Sequence, residues 1–269
     1  MNWVKLVKRD FFKLKFVFLI SVLILGIQPV TADQLSSMQP LFEEALSASQ
    51  TGSFTEALSL WNQFLDISPN DAPALGNRGN VRLVLGDAQG AINDQTRAIE
   101  QAPDAFDPHL NRGIAEEALK LWDQAAIDYK WILERDPGFS LALYNLGNVR
   151  GSQGDWLAAK ALYHQASIAS PDFVMACFNE VLASYQLGEV DQAKVDLRRL
   201  IILYPMLPDA RAALSALLWR EGLDGEAESN WAAVVGLDNR YNQSDWLKVA
   251  RRWPPQPVED LMAFLDLER

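Results

Sequence analysis

Thiol and imidazole are scarce: the 269 residues hold one cysteine, Cys177, and two histidines, His109 and His164. A lone cysteine forbids an internal disulfide, so the fold must hold together without one. Neither histidine stands in a metal-ligand spacing with the cysteine or with carboxylates. The sequence also lacks Gly-x-Ser-x-Gly, a phosphate-cradling glycine loop and His-Glu-x-x-His. No catalytic constellation is left, and the chain reads as non-enzymatic, with no cofactor and no metal. Basic charge is short too: 24 Lys and Arg stand against 35 Asp and Glu, a formal net charge of −11. Nucleic-acid binding needs basic side chains to neutralise phosphates, so a nucleic-acid partner is not expected.

The few basic residues are unevenly placed. Lys5, Lys8, Arg9, Lys13 and Lys15 crowd the start, with Asp10 the one acid among them, so the body is more acidic than the whole. An apolar run, "FVFLISVLILGI" from Phe16 to Ile27, follows. Pro29, Val30 and Ala32 then suit a signal-peptidase site after Ala32. The run is shorter than the roughly 20 residues of a spanning helix. Residues 1–32 are expected to be a cleaved signal or an uncleaved anchor, and either implies export or tethering. Membrane contact is expected only through this segment. Cys177 lies far from the site, so lipid attachment there is not expected.

What the chain has in plenty is a period. Pro69, Pro103, Pro137, Pro171 and Pro205 stand 34 residues apart. Ala57, Ala91, Ala125, Ala159, Ala193 and Ala227 keep the same interval. Glycine recurs at Gly52, Gly86, Gly154, Gly188 and Gly222, with Lys120 the departure. A bulky column holds Trp61, Tyr129, Tyr163, Leu197 and Trp231, broken by Gln95. A small column holds Ala45, Gly79, Gly113, Gly147 and Ser215, broken by Val181. Each column has a mechanical reason. Proline closes a helix. Glycine sits where a first helix ends and φ > 0 is often needed. Small residues let two helices approach, and the bulky residues fill the space left. Each unit is a helix A, a turn and a helix B, and such hairpins must stack to bury their apolar faces.

These columns resemble the tetratricopeptide repeat. The stretch "SLALYNLGNVRGSQGDWLAAKALYHQASIASP" matches most closely, through Leu146, Gly147, Gly154, Ala159, Tyr163, Ala166 and Pro171. The expected fold is all-α: a right-handed superhelical solenoid of six repeats, about 38–71, 72–105, 106–139, 140–173, 174–207 and 208–241, with a C-terminal helical cap. Asn239 replaces the last proline. Beyond it, "SDWLKVARRW" reads as a helix capped by Ser244 or Asp245, "WPPQP" as a rigid extended turn, and "VEDLMAFLDLE" as a second helix. Residues 242–269 are expected to cover the open end of the solenoid through Trp246, Trp253 and Phe264. An exposed aromatic partner site is the alternative.

Asn77, Asn111, Asn145 and Asn179 occupy one helix A position in four successive repeats, with Asn80 and Asn148 three residues on in two of them. Residues three apart share a helix face, and the resemblance implies that these positions face a concave groove. An amide offers donors and an acceptor, so a ladder of them suits the backbone of an extended segment. Solvation of the groove, or bonds between helices, is the alternative. The same register places Leu110, Tyr144, Phe178, Ser152, Tyr185 and Gln186 in the groove, with Asp107 and Glu117 adding negative charge. Family members that hold a C-terminal carboxylate use lysine and arginine there. Pro73, Asp107, Leu141 and Met175 stand at one matching position and the asparagines at the other, so that mode is not expected.

Arg78 and Arg112 stand where the family has leucine, and Asp94 and Asp128 share a helix B column in the same repeats. Repeat four has Leu146 and Leu162 instead, which predicts inter-helix ion pairs in place of an apolar contact. Glu180 against Asp196 breaks the pattern; the two could repel, or hold a cation or Arg198. His109 begins helix A of repeat three and reads as a packed structural residue. "GNRGN" at Gly76–Asn80 falls inside a helix A.

The expected function is a protein–protein interaction scaffold holding an extended or helical segment, with basic residues, in its groove. A regulatory or spacer module of an envelope enzyme complex is the alternative. "NRGNVRLVLGDAQGAINDQTRAIEQAP" also resembles cyanobacterial repeats, and the tail "RRWPPQPVEDLMAFLDL" resembles related plastid proteins. That likeness implies the thylakoid lumen or membrane, and photosynthetic complexes under assembly as clients.

Overall fold

In the computed structural model, residues 32–267 are described; the targeting segment expected at the N-terminus, apart from Ala32, lies outside them. Fourteen α-helices and one 3-10 turn account for the regular structure among the described residues, and there is no strand. No helix there is long and apolar enough to cross a membrane. Twelve helices form six successive hairpins: α1 (Ala32–Gln50) with α2 (Phe54–Ile67), α3 (Ala72–Val84) with α4 (Ala88–Gln101), α5 (Phe106–Ala118) with α6 (Trp122–Leu133), α7 (Ser140–Ser152) with α8 (Trp156–Ala169), α9 (Val174–Gln186) with α10 (Val190–Leu203), and α11 (Pro208–Arg220) with α12 (Asp224–Leu237). Each B helix packs on its own A helix, and the first five also pack on the A helix that follows. Consecutive A helices also touch, α1 on α3, α3 on α5, α5 on α7 and α9 on α11. The A helices therefore line the inner side of the solenoid.

The small and bulky columns meet inside each hairpin. A β-carbon on Gly113 would stand 2.6 Å from the Tyr129 ring, so only glycine allows α5 and α6 this approach. Where the small column widens to Val181, the bulky one narrows to Leu197, and both are buried in one cluster. All six column alanines are buried. The turn glycines take positive φ, between 76° and 88°. Lys120 fills the same turn at φ 59°, so the turn geometry is kept without its usual residue.

After α12 the chain makes a 3-10 turn, Asn239–Asn242, then α13 (Ser244–Val249) and α14 (Pro255–Leu267). Ser244 is the first helical residue, and Gln243 holds the capping position without a side-chain bond. The first helix of this pair stops at Val249, well short of Trp253. Its partner begins at Pro255, directly after Pro254; Pro255 and Pro257 fit in its first turn because N–H groups there need no intrahelical acceptor. Instead of lying on α12 as a further repeat would, α14 packs along α11 and α9, on the inner side. Phe264 reaches Trp231 of α12 edge-on at 6.2 Å, whereas Trp253 meets Phe178 of α9 at 5.9 Å. The C-terminal segment thus fills one end of the concave side.

Candidate partner-binding trough

The A helices give the concave side its chemistry. In its first half the trough is open. Pro73, Gly76, Asn77 and Asn80 from α3 and Asp107, Pro108 and Asn111 from α5 line a cavity of about 310 Å³. Asp107 is exposed at its rim. Asn77, Asn111 and Asn145 are half-buried, and their amides bond to no other described residue. The other three asparagines are engaged. Asn80 accepts from Gln95 Nε2 at 2.9 Å, and Asn148 accepts from Tyr163 Oη at 2.9 Å. These two bonds are equivalent in consecutive even-numbered repeats: each ties helix A to the bulky column of its own helix B. Asn179 is buried and donates to Tyr144 Oη at 3.1 Å. Tyr144 itself packs on Tyr163 and Phe173, at 5.7 and 4.8 Å between ring centroids.

The second half is closed by the chain's own C-terminus. Arg251 Nε donates to Asp209 Oδ1 at 2.9 Å, and its Nη2 bonds Asp209 Oδ2. Trp253 Nε1 donates to the same Asp209 Oδ1 at 3.4 Å. Arg252 bonds Glu117, which also accepts from Tyr129 Oη. Gln256 N–H donates to Gln186 Oε1 at 2.8 Å, and Tyr185 Oη donates to Asp260 Oδ2 at 2.8 Å. Phe178 and Tyr185, expected to line the groove, are wholly buried beneath this segment. Burial pushes the Glu117 carboxyl above its ordinary range, against the pull of Arg252 and the bond from Tyr129. Burial works against ionisation of Arg251 as well, but the Asp209 bonds outweigh it and hold the guanidinium above its usual pKa.

Asp209 stands in the same helix A column as Pro73, Asp107, Leu141 and Met175. Arg251 Nη2 also lies 4.0 Å from Met175 Sδ. One lattice position therefore carries an occupied acid in the closed half and a vacant-faced acid, Asp107, in the open half. Sequence reasoning missed the residues that do the closing: Arg251, Arg252, Gln256 and Asp260. The readable signal was charge. Glu117 is a buried acid without a basic residue at the lattice positions beside it, and Arg251 and Arg252 are adjacent bases just beyond the last repeat.

A polar cluster lies behind the trough. Arg78 holds Asp94 through two bonds, at 2.6 and 2.8 Å. Arg112 holds Asp128 in the same way, at 2.7 and 2.8 Å. Both are the inter-helix pairs expected from sequence. His109 is buried, stacked on Trp131 at 3.7 Å between ring centroids, with Nδ1 2.7 Å from Asp128 Oδ1. Burial alone would raise the Asp128 carboxyl, but the bonds from Arg112 and His109 hold it below the usual range. Glu116 lies beside this cluster with Oε2 unpartnered. Burial, and then the Asp128 charge, push it up to about 7. The acidic break at Glu180 is answered from the preceding repeat: His164 Nδ1 lies 2.9 Å from Glu180 Oε1. His164 occupies the helix B position from which Asn62 and Thr96 meet Arg78 and Arg112.

The arrangement agrees with known proteins at the level of fold. A crystal structure of a tetratricopeptide repeat protein from Parabacteroides merdae is similar, with TM-score 0.67 at 17% identity, over 85% of this chain and 98% of that one. YrrB, described as a TPR protein with an unusual peptide-binding site, is similar with TM-score 0.52 at 14% identity, over 66% of this chain and 92% of that one. In sequence, human sperm-associated antigen 1 is 33% identical over 103 residues, 38% of this chain and 11% of that protein. The chain spans only 7% to 35% of the length of the curated relatives it matches. The tetratricopeptide repeat family model matches residues 42–106, 79–138 and 144–205. With most of the chain matched and the helical hairpins stacked in register, the chain belongs to the tetratricopeptide repeat family.

Proposed function

We propose that the chain is a non-catalytic scaffold that holds an extended or helical segment of a partner protein in the trough, across repeats two to four. The observation that carries this is the row Asn77, Asn111 and Asn145, one half-exposed amide per repeat, none bonded to another described residue. Packed helices stand about 8–10 Å apart, and an extended chain advances about 3.3 Å per residue. One amide therefore meets about every third residue of an extended partner and can pair with its backbone N–H and C=O whatever its side chains. Asp107 on the rim adds a preference for a basic side chain. The peptide-binding site in YrrB's description is consistent with this use of the fold. Residues 1–32 would export the body or tether it to a membrane, on the strength of the basic stretch followed by an apolar run; the mass of the mature protein tests that.

A pull-down with Asn77, Asn111 and Asn145 all changed to Ala tests the trough. The expected result is loss of a specific partner with the helical circular dichroism unchanged. Retention of the same partners would overturn the proposal.

A further inference from the structure

We propose that Arg251–Trp253 is an internal ligand of the trough, and that the partner segment is a basic one, two arginines followed by an aromatic residue, which binds by taking its place. The inference rests on the trough being the partner site and names the chemistry that site selects. The tail is the wrong shape for a simple cap. It crosses the inner face, and Arg252 reaches back to Glu117, 135 residues upstream. Its contacts are the kind a foreign peptide would make. Two guanidiniums meet two buried carboxylates, Asp209 and Glu117, and an indole enters an aromatic pocket beside Phe178. Between the helices this segment has no regular structure; it turns back on α13 through Trp253 N–H to Leu247 O at 2.9 Å, and Pro254 and Pro255 follow it.

The same segment is built to leave. Arg252 holds φ at 56°, in the left-handed region that a residue with a side chain disfavours. Its side chain is more than a third exposed, although Glu117 beneath it is buried. By contrast, α14 is anchored by the buried Val258, Leu261 and Phe264. Release can stop at the prolines, freeing Glu117 and Asp209 without unfolding the helix beyond them. Asp107, in the column of Asp209, then gives an incoming segment a first contact in the open half. A basic partner would dock there and extend into the closed half as the tail departs.

A fluorescein-labelled peptide Ala-Arg-Arg-Trp-Pro-Pro-Gln, the chain's own residues 250–256, is the probe, read by anisotropy against the full chain. Arg252→Ala should bind it at least tenfold more tightly than the native chain, and adding Glu117→Gln should return binding to the native level or below. Equal binding by the native chain and Arg252→Ala, or none by either, would overturn the inference. A second measurement covers a misfolded variant: excess unlabelled peptide on the native chain should speed amide exchange in residues 250–253 and leave α14 protected. Peptide bound with that exchange unchanged overturns the inference while leaving the trough as a partner site. If Arg252→Ala dimerises by exchanging tails, the occupant is a second copy and the partner assignment fails. Partner capture insensitive to the three asparagines, by contrast, sinks the proposed function and not the tail's competition.

Discussion

Gly147 and Tyr163 meet so closely that a β-carbon on the glycine would lie 2.6 Å from the tyrosine ring. The ring is also held by the Tyr163–Asn148 bond and packs on Tyr144, so it has little freedom to move aside. Gly147→Ala should therefore cost about 1–3 kcal/mol, the range for forcing extra volume into a packed core. Combining it with Tyr163→Leu should cost less than the sum of the two single changes, because they share one space. Urea unfolding of the three variants checks both statements. Additive losses would mean that the helices, and not the ring, absorb the strain.

Lys120 gives a prediction of opposite sign. At φ 59° it holds a turn that glycine holds in five other repeats. The left-handed conformation costs a residue with a side chain about 1–2 kcal/mol, and glycine returns part of that as unfolded-chain entropy. Lys120→Gly should raise stability by up to about 1 kcal/mol. The matched control is Gly154→Ala, where nothing stands within 4 Å of the added carbon. Any loss there comes from the backbone alone, and about 1 kcal/mol is expected in thermal melts.

Those two predictions concern features that could be read directly from the sequence. Gly147, Tyr163 and Lys120 belong to columns, and a column is visible because each repeat poses the same packing problem at the same register. Arg78–Asp94 and Arg112–Asp128 could be read for that reason too, from the co-occurrence of arginine with aspartate and of leucine with leucine. The trough was only half legible. The side-chain amides of Asn77, Asn111 and Asn145 bond to no other described residue. Asn148 and Asn179, identical in type, are used up by tyrosines; whether an asparagine is spent depends on which residue faces it from another helix. The tail was legible as two helices and an aromatic, but not in the contacts it makes across the trough. Arg252 and Glu117 are joined once in the molecule, so no recurrence marks them. A cap and a trough-filling segment also share the same apolar helical spacing.

Glu116 predicts a pH dependence. Its carboxyl sits near pH 7 in the folded chain, against about 4.5 when exposed. Between those values the folded state holds a proton that the unfolded state has lost. The stability contributed by this proton is full below about pH 4.5 and is lost as pH rises through about 7. Glu116→Gln removes the ionisation, so the variant should be more stable than the native chain at pH 8, by up to about 3 kcal/mol. The two should converge near pH 4.5. A native chain that gains stability on Glu116's account between pH 5 and 8 would contradict the sign.

Arg112 and Asp128 permit an exchange for which the chain supplies its own template. Repeat four carries Leu146 and Leu162 at the same two lattice positions, and there the apolar pair sits in the core. Arg112→Leu alone leaves Asp128 buried, with His109 as its remaining bonded partner. Removing one member of a buried pair typically costs about 3–5 kcal/mol, and the histidine should bring this to the lower end. Arg112→Leu with Asp128→Leu removes both charges at once and copies repeat four, so most of the loss should return. The double change takes away both the Asp128 charge that raises Glu116 and the smaller, opposing Arg112 charge, so the pH dependence should weaken only slightly and persist through burial. Denaturant unfolding at pH 6 and pH 8 reads both effects. A double variant no more stable than Arg112→Leu would mean that the two repeats are not mechanically equivalent at this position.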